Sequence, residues 1–258
     1  MEGNAIVDLQ VQEQNRARQL IEDLMIAANG ATARFLEAHG RSSIRRVVAK
    51  PKRWDRIVEL ARGLGDELPA EPSAAALAGL LARRRAAQPD TFADLSLSII
   101  KLLGPGQYAL QRAGEPELGH FGLAVEDYAH STAPNRRYPD LITQRLLKAL
   151  AAGAPAPYTD EELIAIAQHC TEREDAIRKV ERTMRKIAAA DFLSSRIVEM
   201  FDGIVTGVSD KGVFARLFHP PAEGRIVRGE QGLDVGDRVR VKLVETVPAK
   251  GFIDFVRL

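Results

Sequence analysis

The apolar period changes once along this chain, at about residue 197, and that change limits the possible folds more than any other feature. Beyond it, Val and Ile alternate with polar residues in short runs: FDGIVTGVSDKGVFARLF, AEGRIVRG, GDRVRVKLVETV and KGFIDFVRL. A period of two is that of half-buried strands, and Gly212, Gly224, Gly236 and Gly251 punctuate the runs as turn residues do. Roughly sixty residues in five strands fit a small Greek-key barrel of the OB type. Before that point the pattern is helical. Over residues 12–39, Leu20, Ile21, Leu24, Met25, Ala28, Phe35 and Leu36 recur at three- and four-residue steps, and Gly40 is a stop. Residues 51–103 read as three shorter helices, broken at 63–65, 69–73 and 88–89 and closed by Gly104-Pro105-Gly106. A short apolar segment at 121–125 leads to a helix over 134–152, and a long charged helix follows over 159–196. The fold class is therefore α+β, with a mainly helical part over 1–196 and a five-stranded barrel over 197–258.

Bulk properties exclude several classes. The 258 residues are 45% hydrophobic and 28% charged, enough for one substantial core and a small second domain. A net charge of +1 does not by itself suggest a nucleic-acid binder, although an average says nothing about clustering. No apolar run approaches the ~20 residues that span a bilayer, and the start lacks the basic-then-apolar order of a secretory signal. Cys170 is the one cysteine, which leaves no intrachain disulfide and no multi-cysteine zinc site. A cytoplasmic protein is expected. Residues 1–15 read as a strand remnant running straight into a helix, which suggests a piece of a larger domain.

The segment Ser131-Thr132-Ala133-Pro134-Asn135-Arg136-Arg137-Tyr138 carries the most chemistry. Ser131 or Thr132 suits a helix cap and Pro134 a first turn, so Arg136 and Arg137 are expected where the helix dipole disfavours cations. An anion bound there would explain them, because backbone N–H groups and guanidinium forks together suit a phosphate. An ordinary ion pair of Arg136 with Asp140 explains them too.

The run HFGLAVEDYAHSTAPNRRYPDLITQRLLKAL resembles the most distinctive motif of the RNase II (RNB-domain) family of 3′→5′ exoribonucleases, over some thirty residues at fixed spacing. The resemblance implies that Arg136 contacts the scissile phosphate and stabilises its charge during hydrolysis, with Arg137 and Tyr138 beside it on the RNA. Ala133, Asn135 and Gln144 stand where the family usually has Ser, Ile and His, while the arginines and Pro134 are kept.

Two glutamates follow from the same resemblance. LIEDLMIAAN is similar to a helical motif of the family, which makes Glu22 the residue that reads the ribose near the RNA 3′ end. A carboxylate can accept a hydrogen bond from a 2′-OH, which DNA lacks; a solvated helix carboxylate is the plain alternative. In HCTEREDAIRKVERTMRK, Glu174 with Arg178, Asp175 with Lys179 and Glu181 with Arg185 stand at i,i+4 spacing, which alone accounts for the charges. The family resemblance adds that Glu181, with Arg182, contacts the terminal nucleotide.

Residues 197–258 resemble the family's S1-type OB domain, which holds single-stranded RNA on exposed aromatics and cations. Phe214, Phe218 and His219 are the candidate platforms, and Lys211, Arg216, Arg238 and Lys242 the candidate phosphate contacts. Phe214 faces the core instead if Val213 faces out. Such barrels also bind oligosaccharides and proteins, so the fold alone does not fix the ligand.

Hydrolysis of this type uses two divalent metals about 4 Å apart, held by clustered carboxylates. Asp8, Asp23, Asp55, Asp66, Asp90 and Asp94 are scattered, with no Asp-x-Asp-Asp, so Mg²⁺ ligands are expected from a missing N-terminal segment. The expectation is processive 3′→5′ hydrolysis of single-stranded RNA to nucleoside 5′-monophosphates by the intact protein. This chain would supply RNA binding and Arg136 and would be inactive alone, with the N-terminal half of the same protein as a partner. The competing expectation is a non-catalytic RNA-binding module derived from the family.

Overall fold

The computed structural model describes residues 6, 8, 9 and 15–258, with backbone alone at 89–91, 93, 94 and 97. The expected strand remnant over 1–15 lies almost wholly outside the described residues, as do the side chains of Asp90 and Asp94. The chain divides into two compact units, residues 14–174 and residues 175–258 with 1–13.

In the first unit, α1 (Arg16–Ala38) opens at Asn15, whose side chain accepts from Arg18 N–H at 2.9 Å. It ends where Gly40 takes a left-handed φ of 66°, and Gly40 and Arg41 return N–H bonds to Glu37 and Leu36. Of the apolar residues that set its period, only Leu36 is buried; Leu20, Ile21 and Leu24 are exposed, and the buried face is Asn29, Gly30, Ala33 and Leu36. The three expected helices are α2 (Trp54–Gly63), α3 (Ala74–Ala87) and α4 (Pro89–Leu103), with Ser73 capping α3 and Pro89 opening α4. Trp54, Ile57, Leu77, Leu80, Ile99 and Phe121 form their common core.

A two-stranded antiparallel sheet is an addition to the sequence reading. In it, β1 (Ser43–Val47) pairs with β2 (Gln107–Gln111), setting Arg46 opposite Tyr108. All five residues of β1 are buried, Arg45 and Arg46 included. α5 (Tyr138–Ala151) and the first part of α6 (Asp160–Leu193) close a second core with Leu36, Ile44, Ile142, Leu146 and Leu163.

The second unit holds the end of α6 and a closed barrel ordered β3-β4-β5-β7-β6. Its strands are β3 (Met200–Ser209), β4 (Gly212–Leu217), β5 (Glu223–Arg228), β6 (Arg238–Val247) and β7 (Phe252–Arg257), with β5 and β7 parallel. Alternate residues point inward, among them Phe201, Val213, Ala215, Leu217, Val241, Leu243 and Phe255, and Ala190 and Leu193 of α6 join them. Each large apolar side chain buried this way is worth ~1.5–3 kcal/mol. Two glycines let the wall close: a Cβ on Gly203 would lie 2.5 Å from the Arg216 carbonyl oxygen, and one on Gly224 2.5 Å from the Phe255 ring. No helix among the described residues is long and apolar enough to cross a membrane.

Candidate nucleic-acid interface

The arginine pair sits on a loop. α5 begins at Tyr138, four residues later than expected, with Arg137 at its N-cap and Pro139 in its first turn, so Ser131 and Thr132 are not caps. The reason is a set of bonds from distant residues. Ser131 N–H and its hydroxyl both donate to Asn29 Oδ1 at 2.9 Å, and Gln144 Nε2 donates to the Ser131 carbonyl at 2.8 Å. Ala133 N–H donates to the fully buried Asp140 carboxylate at 2.8 Å. With these groups already engaged, the segment stays a turn until Tyr138.

Asp140 also takes Arg137, 2.8 Å from its Nη2, so the expected Arg136–Asp140 pair is replaced by Arg137–Asp140. Arg136 is exposed, and its guanidinium has no ion-pair partner among the described residues. A cation held on a fixed turn and left unneutralised is a ready contact for a phosphate. Tyr138, half exposed, adjoins it.

Behind the loop lies a buried polar layer that the sequence reading missed. The Tyr108 hydroxyl is 2.9 Å from His130 Nδ1, and the Arg46 guanidinium lies 4.8 Å from the Tyr108 ring centroid. Glu174 grips Arg46 through both nitrogens at 2.6 and 3.0 Å, joining β1 to α6. Burial, reinforced by Arg137, Arg46 and Arg136, pushes His130 down to about 3, and burial pushes the Tyr108 hydroxyl up to about 12. Both are therefore neutral near pH 7, and they neither cancel nor add to the positive charge of the loop.

Glu22 is exposed on α1 and lines a groove of about 440 Å³ with Ile21, Met25, Ile26, Leu123 and Tyr128. A carboxylate on the rim of an apolar trough can accept from a sugar hydroxyl while a base lies against the trough. Glu181 and Arg182 are exposed on α6 in the second unit. Of the expected helical ion pairs there, neither Asp175–Lys179 nor Glu181–Arg185 closes among the described residues.

On the barrel, Phe214 and Arg216 point outward and are half exposed, while Val213 faces the core. The register aligns Arg238, Ile204, Arg216 and Glu223 across β6, β3, β4 and β5. Phe218 lies 5.9 Å from the Arg238 guanidinium, and the two line a shallow pocket of about 430 Å³ with Asp202 and Arg240. His219 is exposed beside Phe218, Lys211 is at the tip of the β3–β4 turn, and Lys242 lies farther along β6 opposite Met200. A flat ring flanked by guanidinium groups is the arrangement that stacks a base and holds its phosphate. Arg240 belongs to this pocket and was not foreseen; its alternation with Arg238 on β6 was the available signal.

Among the described residues no three His, Cys, Asp or Glu side chains come together as ligands, so the residues present do not fit a divalent ion.

Comparison with known proteins gives a consistent picture. The RNB domain family matches residues 1–153, and the RNase II-type exonuclease C-terminal S1 domain matches residues 199–258. The chain is similar to Ribonuclease R of Escherichia coli (strain K12), 32% identical over 221 residues, covering 80% of this chain and 26% of that protein. It is also similar to Ribonuclease R 1 of Lactococcus lactis (27% identical; 96% of this chain, 33% of that protein). Among solved structures, Mycoplasma genitalium RNase R in complex with ribose-methylated single-stranded RNA shares the fold, with a TM-score of 0.84 and 22% identity over 100% of this chain and 44% of that one. The chain thus spans a third or less of the length of these curated relatives.

Proposed function

Because this chain belongs to the RNB family and ends in an RNase II-type S1 domain, we propose that it is the RNA-gripping part of a 3′→5′ exoribonuclease. In the intact protein the reaction is processive hydrolysis of single-stranded RNA to nucleoside 5′-monophosphates. The observation that carries this reading is Arg136, an exposed cation without an ion partner among the described residues, on a turn held by buried hydrogen bonds. Arg136 meets the scissile phosphate and stabilises charge developing on it. Glu22 accepts from a ribose hydroxyl near the 3′ end, and Glu181 with Arg182 contacts the last nucleotide. Arg137 and Tyr138 complete the surface beside Arg136. Upstream, Phe214, Phe218 and His219 offer faces to bases, and Lys211, Arg216, Arg238 and Lys242 offer charge to phosphates.

RNB-family exonucleases generally depend on divalent metal. The described residues offer no ligand cluster, and Mg²⁺ ligands are proposed to come from the N-terminal half of the same protein. The exposed Leu20, Ile21 and Leu24 of α1 are apolar surface of the kind another part of a larger domain covers.

Binding of labelled single-stranded RNA across a salt series tests this reading. Affinity should fall steeply with salt, and joint removal of Phe218 and Arg238 should weaken it at least tenfold. Equal affinity for a neutral oligosaccharide, or salt-independent binding, contradicts the reading.

A further inference from the structure

We propose that Asn29 is a positioning residue that locks the Glu22 groove to the Arg136 turn, so that the two contact the RNA end as one unit. The inference rests on the RNA reading above and goes beyond it, since Asn29 touches no candidate contact directly.

Asn29 is fully buried on α1, two turns after Glu22. Its amide is used on both sides. Nδ2 donates to the Tyr128 hydroxyl at 3.2 Å, and Tyr128 is a wall of the groove that Glu22 lines. Oδ1 accepts both the N–H and the hydroxyl of Ser131, each at 2.9 Å, at the start of the turn that presents Arg136. Thr32, one turn further on α1, adds a second tie, its Oγ1 3.2 Å from Ser131 Oγ.

A Cβ on Gly30 would already lie 3.4 Å from the Asp127 carbonyl oxygen, so α1 runs close against the 127–131 backbone. That approach is what lets one short amide reach both Tyr128 and Ser131. A carboxylate in its place could not donate to Tyr128 and would be a charge without solvent; an aliphatic side chain would leave the Ser131 N–H unsatisfied. The residue type follows from the two-sided demand. The geometry of Arg136 relative to Glu22 then depends on Asn29, although Arg136 and Asn29 are more than a hundred residues apart in sequence.

The test is a double-mutant cycle on the whole chain, read as the affinity for a short labelled single-stranded oligoribonucleotide. The parent, Asn29→Ala, Ser131→Ala and Arg136→Ala are compared with the two doubles, Asn29→Ala/Arg136→Ala and Ser131→Ala/Arg136→Ala. Asn29→Ala should weaken binding by most of the factor that Arg136→Ala costs, roughly tenfold, and Ser131→Ala by less. In the Arg136→Ala background both should change affinity less than about twofold, because what they position is already gone. Partial unfolding lowers affinity by the same factor in both backgrounds, so a merely structural role predicts additive losses. Ser131→Ala removes one hydroxyl bond and keeps the backbone bond to Asn29, which keeps the test open if Asn29→Ala fails to fold. Additive losses, or parent-like binding by Asn29→Ala and Ser131→Ala, overturn the proposal alone. Parent-like binding by Arg136→Ala overturns the RNA reading and the proposal with it.

Discussion

At the residue scale, two adjacent arginines have opposite environments, and that difference is testable. Arg136 is exposed without an ion partner among the described residues, whereas Arg137 neutralises a fully buried carboxylate. Arg136→Ala should leave stability within ~0.5 kcal/mol and flatten the salt dependence of RNA binding by about one phosphate contact. Arg137→Ala leaves Asp140 uncompensated and should cost roughly 3 kcal/mol in chemical denaturation. Equal effects on stability would refute the assignment. His130 makes a second prediction. Its folded value lies near 3, far below the ordinary 6.5, so the folded chain takes up its proton later than the unfolded one. Its contribution is fully present above pH 6.5 and is lost as pH falls toward 3. Stability measured across that window should drop with acid, and His130→Gln should make the drop shallower; an unchanged slope would show that His130 is solvated.

At the element scale, the barrel depends on glycines where strands press together. Gly224→Ala would drive a methyl group into the Phe255 ring and to 2.6 Å from the Ile253 carbonyl, so the barrel should lose at least ~2 kcal/mol. Phe214→Ala, on the outer face, should leave the denaturation midpoint nearly unchanged while reducing RNA affinity. The strands of this barrel were legible because each alternates over one buried face. The three helices between residues 54 and 103 were legible from the Gly, Pro and Ser positions between them. The β1–β2 sheet was not: a strand with two arginines reads as surface, and the partner that permits Arg46 to be buried, Glu174, is 128 residues away. The start of α5 was misplaced for the same reason. Ser131 and Thr132 look like cap residues locally, but Asn29 and Asp140 hold Ser131 and Ala133 in a turn, and Pro139 rather than Pro134 sits in the first turn of the helix. Only the thirty-residue motif singles out Arg136 as a candidate; residue physics alone leaves an ion pair open.

At the scale of the whole molecule, the proposed function places RNA grip in this chain and leaves cutting to residues outside it. The chain spans a third or less of its curated relatives, and its described residues gather no metal-binding carboxylates. The most direct test is to incubate the chain with 5′-labelled single-stranded RNA and Mg²⁺, with and without Arg136→Ala. The expected result is salt-sensitive binding, weakened by the substitution, with the RNA remaining full length. Progressive shortening from the 3′ end that Arg136→Ala abolishes would contradict it, because the chain would then carry metal ligands of its own.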